Sequence, residues 1–226
     1  MGRATVTIPH AALGFDSDQR WTRAQYAAMR LLGFRFAIRY LGDLTSDEVD
    51  DAHAADIGIV PVAHAHLPGW MPSAQLGADD GRRVVHDLTI AGLPPCEVWA
   101  DLEGVALTAT RELVQAYSVA WCAPVHATSN DASVYVGAQV PADPHSLYAL
   151  PFTGYWQSES DVPTPWRRGY KLIQLFAAPK GECLVRDVYP DAPPIVAHMA
   201  IDADVTRSDY LGGRCRMVVS AAAAAA

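Results

Sequence analysis

The stretch Cys96–Gly104, with the sequence CEVWADLEG, has the pattern of a short β-strand that ends in two acidic residues. Side chains alternate between the two faces of a strand, so Asp101 and Glu103 are expected to share one face. Their Cα atoms would then lie about 6.5 Å apart, from the rise of an extended chain. Two like charges buried on one face are costly unless one is protonated or a cleft solvates both. The stretch therefore predicts either an acid–base pair or two solvated acids at a loop.

Short apolar strands alternate with helical segments on both sides of this stretch. Strands are expected at residues 13–17, 34–41, 57–63, 96–101, 133–137, 152–157, 171–175 and within 196–205. Helices are expected at residues 22–32, 45–55, 73–91, 110–123 and 144–150. Alternation of this kind is typical of repeated βαβ units, and eight strands fit an α/β fold of the closed (β/α)8 TIM type.

Three further features bear on this fold. A doubly wound open sheet is the alternative, but no glycine-rich phosphate-binding turn follows the first strand. The second half is expected to be irregular, because a proline-rich loop around residues 163–168 replaces a helix. Ahead of the first barrel strand, residues 5–8 are expected to form an edge strand or an ordered arm.

The composition limits the possible partners. The net charge is −8 and the charged fraction is 19%, which indicates a well-buried globular fold. Nucleic acid and anionic membranes both favour a basic protein surface, so neither is an expected partner. No apolar run apart from the terminal alanines approaches the length of a membrane span.

Cofactor and metal signals are weak. The cysteines are Cys96, Cys122, Cys183 and Cys215, with no C-x-x-C pair, and buried thiols are favoured over two disulfides. His64 and His66 alternate onto one face, but a third ligand at suitable spacing is missing. No metal and no cofactor are therefore expected.

The two ends of the chain carry little patterning. Residues 1–6 have no apolar signal core. The alanines at 221–226 are typical of a tail, a linker, an artefact or unidentified side chains. One barrel domain is therefore expected over residues 1–220.

In a barrel of this type the chemistry collects where the parallel strands end. The side chains at those ends are Asp16, Arg39, Tyr40, His64, His66, Asp101, Glu103, Tyr155, Trp156, Gln157, Gln174, Asp202 and Asp204. Carboxylates beside amides and aromatic rings suit a sugar-cleaving cleft, where one acid protonates the leaving oxygen. Flat rings can stack on pyranose faces, although one of Tyr155 and Trp156 must face the helices. Gln174 would orient a cleft acid or satisfy the backbone.

Four motifs are found in order: Gly14–Asp16, Arg39–Leu41, Trp99–Gly104 and Ile201–Asp204. Together they resemble the glycoside-hydrolase-like domain of actinobacterial and phage proteins, which is similar to the glycoside hydrolase family 25 lysozymes. The resemblance covers residues 13–205 and implies a modified (β/α)8 barrel that acts on, or binds, peptidoglycan-type glycans. The proline-rich loop and the second acid Asp204 depart from the family pattern.

The resemblance also implies roles for the acids. Glu103 would be the general acid, and Asp101 would stabilise the reacting centre or orient the substrate N-acetyl group. Asp16 and Asp202 would complete the catalytic set. The expected substrate-binding residues are Arg39, Tyr40, His64, Tyr155, Trp156, Gln157, Gln174 and Asp204.

One acidic cluster is expected to have a structural role only. Thr45 and Glu48 have the spacing of a capping box at a helix start. Asp47, Glu48, Asp50 and Asp51 are therefore expected to form a solvated helix face.

The leading functional hypothesis is a lysozyme-type glycosidase that hydrolyses a cell-wall polysaccharide. The alternative is a non-catalytic glycan-binding or structural module of a phage virion or a cell-surface assembly. A phosphodiester-cleaving barrel is weaker, since it requires a histidine pair and a metal. A cell-wall substrate without a signal peptide would imply phage-type release or delivery within a larger particle.

Overall fold

Eight strands close into a barrel in a computed structural model that describes residues 2–63, 66–176 and 183–225. The strands are β1 (Arg3–Thr7), β2 (Leu13–Ser17), β3 (Phe36–Tyr40), β4 (Gly58–Val62), β5 (Glu97–Asp101), β6 (Asp131–Val136), β7 (Tyr155–Gln157), β8 (Leu172–Phe176), β9 (Asp202–Thr206) and β10 (Arg216–Ser220). The barrel order is β4-β3-β2-β9-β8-β7-β6-β5, and β5 pairs with β4 to close the ring. The (β/α)8-type barrel predicted from the sequence is confirmed.

Helices surround the first half of the barrel and become short in the second half. They are α1 (Arg23–Leu31), α2 (Ser46–Ala54), α3 (Ala74–Ile90), α4 (Arg111–Ala127), α5 (Pro144–Tyr148), α6 (Val185–Val188), α7 (Pro194–Ala197) and α8 (Ala221–Ala224). Residues 158–171, which connect β7 to β8, contain turns but no helix. The irregular second half is thus also confirmed.

The direction of the last barrel strand differs from that of the others. Strands β2 to β8 run parallel to one another, whereas β9 is antiparallel to both β8 and β2. Asp202 therefore lies at the start of its strand, and its partner in the ladder is Asp16 at the end of β2. The expectation of an eighth strand that ends in Asp202 had the wrong direction, but it placed the acid at the correct edge.

The barrel strands are apolar on both faces because each face is buried. On β3, Phe36 and Ile38 belong to the cluster inside the barrel, while Ala37 between them packs under the helices. Trp99 and Trp156 cross the interior edge to face, with their ring centroids 6.3 Å apart. Layers of large side chains of this kind make the barrel centre a packed core.

Strand β10, which the sequence analysis did not predict, lies below the barrel with β1. It pairs with β1 along its length and with β4 only at Val218 and Ile59. Cys215 just before β10, and Ile8 just after β1, join the cluster inside the barrel. Residues 3–7 are therefore the edge strand expected at the start of the chain.

A buried ion pair closes the same lower end. The Lys171 ammonium lies 3.1 Å from Oε1 of Glu97, which also accepts a hydrogen bond of 2.6 Å from the Ser133 hydroxyl. The backbone N–H of Arg216 donates to the second Glu97 oxygen at 2.8 Å. Both oxygens of this buried carboxylate are therefore used, and one of them ties β10 to the barrel floor.

All four cysteines are buried and unpaired. The prediction of thiols in place of disulfides is therefore confirmed. Burial raises the pKa of the Cys96 thiol to about 12, so this sulfur stays protonated at neutral pH.

Arg39 and Glu48 form a buried ion pair outside the barrel, against expectation. Both side chains are fully buried, and Nε of Arg39 donates to Oε1 of Glu48 at 2.9 Å. The hydroxyl of Tyr26 donates to the same oxygen at 2.9 Å. Thr45 caps α2 as predicted, but the Glu48 side chain does not complete a capping box. The expectation that Glu48 lies on a solvated face is therefore wrong. Its side chain points to the inner side of α2, where Arg39 of β3 supplies a counter-charge.

Replacing Glu48 tests this ion pair. Glu48→Gln leaves the Arg39 charge buried without a counter-charge, so we expect the free energy of unfolding to fall by about 3 kcal/mol. Urea denaturation monitored by tryptophan fluorescence measures the loss. The neighbouring exposed Asp47→Asn is the control and should change stability by less than about 0.5 kcal/mol. Equal effects of the two substitutions would contradict a stabilising role for the pair.

Candidate active site

Six carboxylates surround the open end of the barrel, where the parallel strands finish. This acidic mouth consists of Asp16, Asp101, Glu103, Glu159, Asp202 and Asp204. Charge repulsion connects its members, because each of Asp16, Asp101, Glu103, Asp202 and Asp204 has its pKa raised first by burial and then by another carboxylate. The closed barrel thus brings together all four acids proposed from the sequence as catalytic residues.

The two acids of the opening stretch do not share a strand face. Strand β5 ends at Asp101, and Glu103 lies in the turn that follows. The backbone N–H of Glu103 donates to Oδ1 of Asp101 at 2.7 Å, so the first acid holds the turn that carries the second. Asp101 is buried while Glu103 is exposed. The expected common face is therefore wrong, although the two carboxylates remain neighbours.

Contacts on both sides hold the Glu103 turn in place. The Trp70 indole N–H donates to the carbonyl oxygen of Glu103 at 2.7 Å, and Gly69 N–H donates to that of Gly104 at the same distance. Gly104 has a φ of +68°, which glycine adopts without strain. A Cβ on Gly137 would lie 2.7 Å from the Cα of Glu103, so the turn rests directly on the end of β6.

Burial changes the acid strength of the mouth. Desolvation raises the pKa of Asp101 to about 7, and repulsion by Glu103 adds to it. The pKa of Asp202 rises to about 6, from desolvation and then from repulsion by Glu159 and Glu103. The pKa of Glu103 is also raised, by desolvation and then by Glu159. The pKa values of these three acids are therefore shifted toward neutral pH, which is the direction that an acid catalyst requires.

Gln174 links two of the acids. Its Oε1 accepts from the Tyr135 hydroxyl at 3.1 Å and from the Glu159 N–H at 3.4 Å. Since the oxygen is used there, Nε2 faces Asp16 at 3.3 Å and Asp202 at 3.0 Å. The buried amide thus contacts two acids and one backbone group, which combines the two alternatives considered for it.

Two mouth residues were missed from the sequence. Tyr135 lies in the interior of β6, and Glu159 lies two residues beyond the end of β7. Glu159 could have been found by extending the strand-end search by two residues, as for Glu103 after β5. Tyr135 has no such signal, because an aromatic residue within an apolar strand has the pattern of core. Tyr40 does lie at the mouth, where burial and then Asp16 and Asp101 raise its pKa.

Four residues proposed for substrate binding lie elsewhere. Arg39 and Tyr155 face the helices, where Tyr155 donates to the Leu147 carbonyl at 2.9 Å. Gln157 shares the outward face of Tyr155 by strand alternation. Trp156 faces inward but is only 2% exposed, too little for stacking on a sugar. These placements are corrected because a strand's own residues do not show which face is inside. His64 lies outside the described residues.

A side pocket opens next to the mouth. It has a volume of about 290 Å³ and is lined by Asp101, His66, Asp80, Arg83 and Tyr117, among others. Asp80 accepts from the Tyr117 hydroxyl at 2.9 Å and lies 2.7 Å from Nε2 of His66. His66 in turn packs on Trp70, with ring centroids 4.4 Å apart. Within the part of the chain that the structure describes, no three His, Cys, Asp or Glu side chains are arranged to hold a metal ion.

Sequence comparison identifies the family. The profile of the Rv2525c-like, glycoside hydrolase-like domain matches residues 27–182, more than half of the chain. The chain belongs to this family. The resemblance to a glycoside-hydrolase-like domain is therefore confirmed. No curated protein matches the sequence.

Solved structures of low sequence identity share the barrel of this glycoside hydrolase-like chain. The Mycobacterium tuberculosis Tat-secreted protein Rv2525c, in complex with L-tartrate, has 15% identity and a TM-score of 0.62, over 87% of this chain and 95% of its own. A family 25 glycosyl hydrolase from Bacillus anthracis has 12% identity and a TM-score of 0.55, over 87% and 89%. The muramidase from Acremonium alcalophilum has 13% identity and a TM-score of 0.51, over 87% of this chain and 93% of its own. Such likenesses show the fold.

The relative Rv2525c is described as Tat-secreted. In the glycoside hydrolase-like chain, none of the helices within residues 2–63, 66–176 and 183–225 has the length and apolar content that a membrane crossing requires.

The raised pKa of Asp101 predicts how stability depends on pH. The folded state keeps a proton that the unfolded chain releases above its ordinary pKa of 3.8. Because the folded state binds more protons, the free energy of unfolding should fall as pH rises from about 4 to about 7. The Asp101 contribution is on the order of 4 kcal/mol, and Asp101→Asn should remove it.

Urea titrations across this pH range measure the effect. The exposed Asp191→Asn is the control and should keep the wild-type slope. A slope unchanged by Asp101→Asn would show that Asp101 ionises normally in the folded protein.

Proposed function

We propose that this protein is a lysozyme-type glycosidase that hydrolyses peptidoglycan glycan strands, with Glu103 as the general acid. The observation that carries the proposal is the position of Glu103 at the mouth, next to the buried Asp101. Its side chain is accessible, while partial desolvation and then repulsion by Glu159 raise its pKa. A reachable carboxyl group whose pKa is raised is suited to donate a proton to a glycosidic oxygen. The family and the shared barrel of the muramidase support this substrate class.

The proposed reaction uses the mouth as follows. Glu103 transfers its proton to the leaving oxygen while the bond from that oxygen to the anomeric carbon breaks. The positive charge that develops on the sugar ring is stabilised by the Asp202 carboxylate and by Asp101 in its ionised form, as in glycosidases with paired carboxyl groups. Water then adds to the anomeric carbon, either directly or by displacing the substrate's own N-acetyl oxygen after that oxygen has attacked the same carbon. One proton of the water returns to Glu103.

The charge of the mouth suits this substrate. Because the ionised members of the acidic mouth repel phosphate groups, the mouth disfavours nucleic acid and favours a glycan whose hydroxyl and amide groups donate hydrogen bonds. Asp16 and Asp202 are held by Gln174 on the inner side of the mouth, where they would add to the negative potential around a bound sugar. The cell-wall polysaccharide is thus the proposed partner.

Removing the proton of Glu103 tests the catalytic assignment. Glu103→Gln keeps the shape of the side chain but cannot donate a proton, so we expect turnover to fall at least about 100-fold. Release of reducing ends from purified peptidoglycan, with loss of turbidity of a cell-wall suspension, measures turnover. Glu112→Gln, an exposed change on α4, is the matched control. Full activity of Glu103→Gln would rule out this role.

A non-catalytic glycan-binding module, within a phage or cell-surface assembly, is the second candidate. The side pocket favours it, because its 290 Å³ and its polar wall offer a binding site that needs no reaction. Binding without turnover would be measured by calorimetry with soluble peptidoglycan fragments. In that case Tyr117→Phe should weaken binding, since it removes the hydroxyl that positions Asp80, whereas Glu103→Gln should not.

A further inference from the structure

Asp204 is the most completely buried acid of the mouth, and the barrel architecture places it there. Strand β9 lies between β2 and β8, so the partners of Asp204 in the ladder are Gly14 and Gln174. Gly14 has no side chain, and a Cβ there would lie 2.0 Å from the ring of Phe36. The Phe36 ring thus fills the space at Gly14, which offers Asp204 no polar side chain, and the next inward side chain of β2 is Asp16.

Neither carboxyl oxygen of Asp204 receives a hydrogen bond from the described residues, although the side chain is 0% exposed. The Trp156 indole N–H lowers the pKa of Asp204 but does not reach hydrogen-bond geometry. No arginine or lysine of the described ranges forms an ion pair with Asp204 or Asp16. An ionised carboxylate in such a place would cost several kcal/mol.

The neighbouring groups add negative charge or none. The titratable groups that face Asp204 are Asp16 from β2, Asp202 from β9, Tyr135 from β6 and Cys215 beside β10. The neutral Gln174 and Trp156 face it from β8 and β7. No neighbouring group among these supplies a positive charge, so the Asp204 carboxylate can be neutralised only by binding a proton.

We propose that Asp204 stays protonated at neutral pH and donates its carboxyl hydrogen to Asp16, and so acts as a positioning residue for the Asp16 carboxylate. Asp16 then accepts one hydrogen bond from Asp204 and one from Gln174, which together orient it toward the mouth. The pair carries one negative charge instead of two. The proposed glycosidase would therefore work with a mouth less negative than its six carboxylates indicate.

The contacts of the two carboxyl groups also indicate that Asp204, and not Asp16, holds the shared proton. Burial raises the pKa of both carboxyl groups well above the ordinary range, so the hydrogen-bond partners of each group decide which one holds the proton. Asp16 is assisted by the Gln174 amide, whereas Asp204 is not assisted by any donor in hydrogen-bond geometry. The two carboxyl groups are therefore not equivalent, and this difference can be measured.

Counting charges on the folded protein tests the proposal. Asp204→Asn replaces one neutral hydrogen-bond donor by another, so the net charge measured by native capillary electrophoresis at neutral pH should not change. Asp16→Asn removes the carboxylate charge of the pair and should shift the mobility by the equivalent of one elementary charge. The exposed Asp191→Asn is the calibration and should give the same one-unit shift. If Asp204→Asn also shifts by one unit, Asp204 is ionised and the proposal is overturned.

A second measurement keeps the test independent of the variants' folding. In wild-type protein labelled with ¹³C at aspartate carboxyl groups, one signal lost in Asp204→Asn, or assigned through the backbone, should keep a protonated chemical shift at neutral pH. A carboxylate shift for that signal would overturn the proposal. Neither readout requires turnover, so failure of the glycosidase proposal and failure of this one are distinguishable.

Discussion

The mouth of this barrel depends on the cost of gathering carboxylates where closure of the sheet has excluded water. When β5 pairs with β4, the ends of β2 and β5 and the start of β9 are forced around one opening. Their acids then raise one another's pKa, since neither distance nor water separates the charges. Bound protons offset part of this repulsion, the amide of Gln174 donates a hydrogen bond to Asp16, and the backbone N–H of Glu103 donates one to Asp101.

The buried cations are used elsewhere in the molecule. Lys171 neutralises Glu97 at the lower end of the barrel, and Arg39 neutralises Glu48 beneath α2. Both pairs stabilise the scaffold and leave the open end acidic. Such a separation of charges makes the mouth less stable than a paired site would be, a condition that is typical of functional sites.

Much of the fold was accessible from local pattern. The alternation of apolar strands and capped helices, such as the Thr45 and Ser73 starts, predicted the eight barrel strands and their order. The edge strand β1 was also anticipated, whereas β10 was not, because its short apolar run after Cys215 resembles many irregular termini. Acids at strand ends predicted most of the mouth but missed Tyr135, which has the pattern of core, and Glu159, which lies two residues beyond the end of β7. Both contact Gln174 in the folded chain.

By itself the sequence determined which acids stand at the strand ends, and its motifs pointed to the family before any coordinates. Only the tertiary structure decided how those acids relate. It turned Arg39 toward Glu48, reversed β9 so that Asp202 begins its strand, and placed Asp204 against Asp16 with no cation between them. The reason is that alternation defines two faces of a strand without saying which is inside, and strand direction and burial arise only when the barrel closes.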